Sequence, residues 1–315
     1  MPQSLLTDFP NGVASFGIPV LPLLTTGQVI FLSSVSGVNG NSGKSPANPV
    51  ATLANAISLC NAANGDIIMA MAGHAESISS STALTLSKSG ITVLGLGYGA
   101  LRPTFTLDTA NTATINVTAA NVRFVNCLFV ANFLNIASLF TLTTAKSFQL
   151  IDCEIRDTSA ILNFLRIIDT NTTTNDADGI LMVRTKWYGL SATTATTVIK
   201  MDGTNNRMII EDCYFAHANV DDGGLFMIIA AGKVLTNMEV KETGFNFVGV
   251  SSASAGVLIT TNGSTNSGYF KRCYVQHLDT TSEIMVTASS GFVFWDLKAS
   301  AVADKNPYLV PGADS

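Results

Sequence analysis

Charged side chains are scarce in this 315-residue chain. Lys and Arg number 17 and Asp and Glu 22, together 12 % of the residues, where about 25 % is usual. With a net charge of −5, the sequence has no basic stripe to meet phosphates, which excludes a nucleic-acid partner. No Lys or Arg occurs before Lys44, so the charged start of a secretory leader is missing. The apolar stretch 12–32 is interrupted by Pro19 and Pro22, which argues against a membrane span. Synthesis in the cytoplasm is the expectation. Hydrophobic residues make up 47 %, and such a chain must hide much surface, in a continuous interior and in a subunit interface.

Also missing is a phosphate-binding loop. Gly43-Lys44-Ser45 resembles the end of one, but the position five before Gly43 is Val38 and Pro46 follows where a helix should open. Five cysteines is an odd count. Cys127 and Cys153 fall on neighbouring units of the repeat described next, whereas Cys213 and Cys273 are two units apart, about 9.6 Å and beyond disulfide reach. A ladder of small inward residues explains them better than bridges.

What the chain does contain is a repeat. SFQLIDCEIRDT (147–158) recurs as VRFVNCLFVA (122–131), ILMVRTKWYG (180–189), MIIEDCYFAH (208–217), MEVKETGFNF (238–247) and YFKRCYVQHL (269–278), with a weaker copy near Asp296. Cys127, Cys153, Thr185, Cys213, Thr243 and Cys273 are equivalent, at steps of 26, 32, 28, 30 and 30 residues. A period of this length marks a solenoid. Three positions earlier stand Phe124, Leu150, Met182, Ile210, Val240 and Phe270; two positions later stand Phe129, Ile155, Trp187, Phe215, Phe245 and Val275. The position just before the Cys/Thr site is always polar: Asn126, Asp152, Arg184, Asp212, Glu242 and Arg272. Apolar residues two apart predict strand, and the polar break predicts a corner between two short strands.

A third apolar segment recurs at 115–117, 140–142, 198–201, 225–229, 257–259 and 284–286. Three strands per turn predict an all-β fold, a right-handed single-stranded parallel β-helix. Around it the sequence predicts an extended N-terminal arm over 1–30, the β-helix over 31–303 and a C-terminal tail over 304–315. A capping helix is expected near 49–63, with Leu53, Ala56, Ile57 and Cys60 on one face. The surplus of the 32-residue step falls in 169–179, expected to be an exposed loop.

GNSGKSPANPVATLANAISLC followed by GDIIMAMAGHAESI and stacked coils resembles the entry to right-handed β-helices of the pectate-lyase-like group, which includes phage tailspikes. FPNGVASFGIPVL (9–21) and VLGLGYGALRPTF (93–105) are similar to tailed-phage head and structural-module proteins. The resemblance implies a virion-surface structural protein without enzymatic activity, a capsid decoration or cement protein that forms a homotrimer on the major capsid protein or another virion protein. The alternative is a tailspike or tail-fibre protein recognising or hydrolysing host glycans.

Polysaccharide cleavage needs paired carboxylates, or Lys/Arg with bound calcium. The lyase motif set is absent, the only Arg-Pro being Arg102-Pro103. Candidate carboxylates for the glycan alternative are Asp152, Glu154, Glu211 and Asp212; Asp176/Asp178 and Asp221/Asp222 are further pairs. Acids and bases alternate in the corner column, and Glu154 is followed by Lys186, so a charge ladder is expected there. Asp157, His217 and His277 share a column, but two coils separate successive members, too far for one metal ion. His74 is expected in a turn or cap. No catalytic residue, metal or cofactor is assigned.

Overall fold

The computed structural model describes residues 27–190, 196–216, 224–247, 257–261, 265–277, 284–286, 291–296 and 298–301, together with Thr25 and the strands Val13–Ser15 and Ile18–Val20. Three parallel sheets run along a common axis. Among the described residues, sheet I has ten strands from Val29–Leu32 to Gly291–Trp295, sheet II nine from Ala75–Ser77 to Lys298–Ala301, and sheet III eight from Leu84–Leu86 to Ile284–Val286. Each complete coil gives one strand to each sheet, and every pairing within the three sheets joins successive coils in parallel. The architecture is a parallel β-helix.

The repeat register follows from what each column buries. Phe124 pairs with Leu150, Leu150 with Met182, Met182 with Ile210, Ile210 with Val240 and Val240 with Phe270. In sheet II the inward column is Phe129, Ile155, Trp187, Phe215, Phe245 and Val275. The columns bury their rings against one another: Phe124 lies 5.4 Å from Phe129, Phe129 5.1 Å from Phe140 of sheet III, and Phe140 5.0 Å from Phe148. Stacking identical apolar faces is what one coil alone cannot do, so each coil depends on its neighbours.

The corner between sheets I and II is made by one residue in the left-handed region. Asn126, Asp152, Arg184, Asp212, Glu242, Arg272 and Asp296 have φ between 47° and 54°. Asn and Asp tolerate this conformation, whereas Arg and Glu give up about 1 kcal/mol or more to adopt it. The corners persist because their backbone stays in the ladder, Asp152 N donating to Val183 O at 3.0 Å and Arg184 N to Glu211 O at 3.0 Å. Just inside the corner, the Cys/Thr column is buried and its donors satisfy bending carbonyls: Cys153 Sγ lies 3.4 Å from Ile151 O, and Thr185 Oγ1 donates to Leu150 O at 3.2 Å. A thiol or hydroxyl is thus an internal donor where an alkyl group would offer none.

The entry is closed by a helix at Leu53–Leu59, shorter than the sequence predicts at both ends. Thr52 caps it, accepting from Asn55 N at 3.3 Å, and Leu53, Ala56 and Ile57 are buried. Glu76 Oε2 accepts from Leu53 N at 2.8 Å and lies 3.2 Å from His74 Nε2. His74 Nδ1 accepts from Ser34 N at 2.9 Å, which leaves Nε2 facing Glu76. His74 therefore clasps the cap to the first coils from a fully buried position.

Two differences from the sequence reading have simple causes. The strand Val29–Leu32 already pairs with Ile67–Ala70, so the arm ends before residue 30. Sheet III also contains Arg166–Thr170, a strand missing from the recurring segments. Its buried Ile167 and Ile168 are flanked by Arg166 and Asp169, paired at 2.7 Å, and these charges mask the apolar signal. The tail 304–315 lies outside the described residues.

Candidate functional site

The corner column lies open to solvent along most of the solenoid, but beside the early coils a loop stands over it. Residues 96–103, with a single 3-10 turn at Gly99–Leu101, leave sheet I and return to sheet II. Asn126 holds this loop in place, its Nδ2 donating to Gly95 O and Gly97 O, each at 2.9 Å. Gly97 is required here: its φ is 96°, and a Cβ would meet Leu101 O at 2.7 Å. Between loop and corner runs a groove of about 880 Å³, lined by Tyr98, Arg102, Asn126, Asp152, Glu154, Arg184, Lys186 and Asp212.

Three of the four proposed carboxylates meet in this groove. Asp152 is held by Arg184, Nε to Oδ1 at 2.6 Å and Nη2 to Oδ2 at 2.9 Å. The Asp152 hydrogen bond raises the Arg184 pKa first, and the Asp152 and Asp212 charges add to it. Asp152, Arg184 and Asp212 stand at the corners of successive coils, with the guanidinium turned to Asp152. Glu154 behaves differently from its sequence expectation. Although it pairs in register with Lys186, its carboxylate is bound by Arg102 Nη1 at 2.9 Å and by Arg156. Arg102 sits two coils back and reaches past Leu128, which offers no polar head. Lys186 is left exposed at the groove edge. Glu211, the fourth carboxylate, lies in sheet I between Val183 and Lys241 and outside the groove lining. Further along, Glu242 and Arg272 pair at 3.0 Å.

The remaining candidates are dispersed. Asp176 accepts from Asn171 Nδ2 at 3.0 Å, and Asp178 from Asn206 N at 2.7 Å, both within the loop following Arg166–Thr170. Asp221 and Asp222, His217 and the His277 side chain lie outside the described residues. No group of three metal-ligating side chains occurs among the described residues, and no helix there is long and apolar enough to cross a membrane. Trp187 is fully buried.

Asp157 is the least ordinary carboxylate. It is 6 % exposed and accepts from Phe164 N at 3.1 Å and from Leu190 N at 2.8 Å, with the Trp187 side chain close enough to favour its charge. Burial outweighs these donors and pushes its pKa up to about 7. A second group that the sequence reading passes over is a set of outward tyrosines in sheet II. Tyr188 and Tyr274 are 38 % and 47 % exposed, and Tyr188 lies 6.0 Å from Tyr214. Their signal was present at the first and third positions after the Cys/Thr column, which face outward when the second faces in.

No family model and no curated protein sequence matches the chain. Two solved structures do. A rhamnogalacturonan lyase is 13 % identical over 80 % of this chain and 69 % of its own, with a TM-score of 0.48. Pectate lyase Pel9A is 12 % identical over 93 % of this chain and 82 % of its own, with a TM-score of 0.51. The second shares the fold, a pectate-lyase-like parallel β-helix. The expectation that the chain is not an enzyme is contradicted by the second likeness, since pectate lyase Pel9A shares this fold; a missing motif set is no ground for excluding catalysis from such a fold.

Proposed function

We propose that the chain is a phage virion protein that decorates and reinforces the head shell as a homotrimer in contact with the major capsid protein. The observation that carries this reading is repeated apolar exposure where sheet II leads to sheet III: Leu134, Ile161 and Leu190, on three successive coils, are each about half exposed (50, 53 and 50 %). Isolated apolar residues at a surface are ordinary, but their recurrence in the same connection of three successive coils favours burial against another protein. The low charge of the sequence and its likeness to phage structural-module proteins support the same assignment. Cryo-electron microscopy of the assembled particle tests it. Density at local threefold or quasi-threefold positions of the head is the expected result, and absence of the chain from purified particles would sink the idea.

A second reading is favoured by the walled groove: a tail-associated protein that recognises a glycan of the host surface. A cleft with an exposed tyrosine and both signs of charge suits a polyhydroxylated ligand. Density at the tail tip in the same reconstruction is its expected signature. Release of oligosaccharides from host envelope glycans, abolished by Asp152→Asn or Asp212→Asn, would make the groove catalytic; unchanged release in both variants would place the chemistry elsewhere.

A further inference from the structure

The groove does not end at its own wall. Lys186 belongs to a row on the outer face of sheet II whose members on the next three coils are Tyr214, Gly244 and Tyr274. Two residues along the strands runs a second row of Tyr188, Ala216 and Asn246. Four coils at about 4.8 Å each give a platform about 14 Å long between its end strands.

Its surface is aromatic and flat for specific reasons. A Cβ at Gly244 would meet the Tyr274 ring at 2.2 Å, so the absent side chain lets that ring lie back along the axis over its neighbour. Burial, and then the proximity of Tyr214, raise the Tyr274 pKa, consistent with a ring laid against the sheet. Asn246 Nδ2 donates to the Tyr214 hydroxyl at 3.1 Å and fixes its direction.

From this geometry we infer that the tyrosine rows of sheet II form a binding track for an extended oligosaccharide running parallel to the solenoid axis and entering from the groove. The rise per coil, about 4.8 Å, is close to the length of one pyranose unit in an extended chain, so successive sugars meet chemically similar rungs. Pyranose rings present C–H faces to aromatic faces and hydroxyls to polar edges, which suits amphipathic tyrosines backed by Asn246 and Lys186. A protein partner is disfavoured on these four coils because the named positions of the two rows contain no Leu, Ile, Val or Met. The inference deepens the glycan reading and is independent of the head assignment.

The test uses the full chain and a panel of chitohexaose, cellohexaose, maltohexaose and hexagalacturonate, measured by titration calorimetry. Binding of at least one, weakened at least about tenfold in Tyr188→Ala/Tyr214→Ala with an unchanged melting midpoint, is expected. Tyr269→Ala, an aromatic change in sheet I, should leave that binding intact. Tyr214→Phe, which keeps the ring and folds without a new cavity, should retain most of it. Binding that persists in the double variant would overturn the track while leaving the glycan reading standing. No binding of any panel member to the wild-type chain would overturn both. A double variant that changes the sedimentation coefficient instead of saccharide affinity would make these rows a protein interface, and the track would be wrong.

Discussion

Asp152 and Asp157 are five residues apart, on the same coil and at opposite ends of one strand, yet their chemistry diverges. Asp152 faces solvent at the corner, with an arginine bound to both its oxygens. Asp157 is buried at the other end, where the backbone N–H groups of Phe164 and Leu190 donate to its two oxygens. A carboxylate beside a guanidinium stays ionised and is cheap to hold at a surface. One without a cation is costly to ionise in the interior, and its protonation becomes coupled to folding. The acid that a column of charges makes conspicuous is thus the ordinary one.

The largest way to break this comparison is Asp157→Ala. It leaves the Phe164 and Leu190 N–H donors without their acceptor and opens a buried gap beside Trp187, and a loss of about 2–5 kcal/mol is expected in urea unfolding. Asp152→Ala should cost only about 0.2–1 kcal/mol and less in high salt. Equal costs for the two would refute the contrast.

A second prediction concerns pH. Asp157 rises from 3.8 to about 7 on folding, so between those values the folded state holds the proton and the unfolded state has lost it. Its contribution to stability is complete below about pH 4 and disappears as pH rises through 7, with an upper bound of about 4 kcal/mol from the linkage relation. The wild-type melting midpoint should therefore fall relative to Asp157→Asn between pH 5 and pH 8. Parallel curves for the two proteins would show that Asp157 does not titrate in that window.

The smallest effect sharpens the corner itself. Arg184→Gly removes the Asp152 pair but relieves a left-handed φ of 47°, and the two terms nearly cancel, leaving a change within about 0.5 kcal/mol. Asp152→Gly, where the native residue tolerates that conformation better, should be the more destabilising of the two in the same assay.

Much of the solenoid is legible in the chain because its information is periodic. Phe124, Leu150 and Met182 occupy one column, and a reader who aligns the corners recovers their pairing without coordinates. The strand Arg166–Thr170 escapes because its ends are charged. The groove escapes for a different reason: it depends on a non-repeating insertion at 96–103, held by the amide of Asn126, and nothing in the periodic pattern marks that amide as a tether. The Arg102–Glu154 pair is equally hidden, since a partner 52 residues away matters only once Leu128 is seen to leave the intervening rung without a polar head. The tyrosine rows were visible in principle, in columns that face away from the core.

The Cys/Thr column has a practical consequence. Cys60 sits in the cap, while Cys127, Cys153, Cys213 and Cys273 mark successive heights along the axis, all buried and free. Burial raises every one of these thiols, Cys60, Cys153 and Cys213 to about 12, so an alkylating reagent reaches them only when the surrounding coil opens. The molecule carries its own set of depth gauges. The order in which the five thiols become modified under mild denaturant would record whether the stack frays from one end, from both, or dissolves at once.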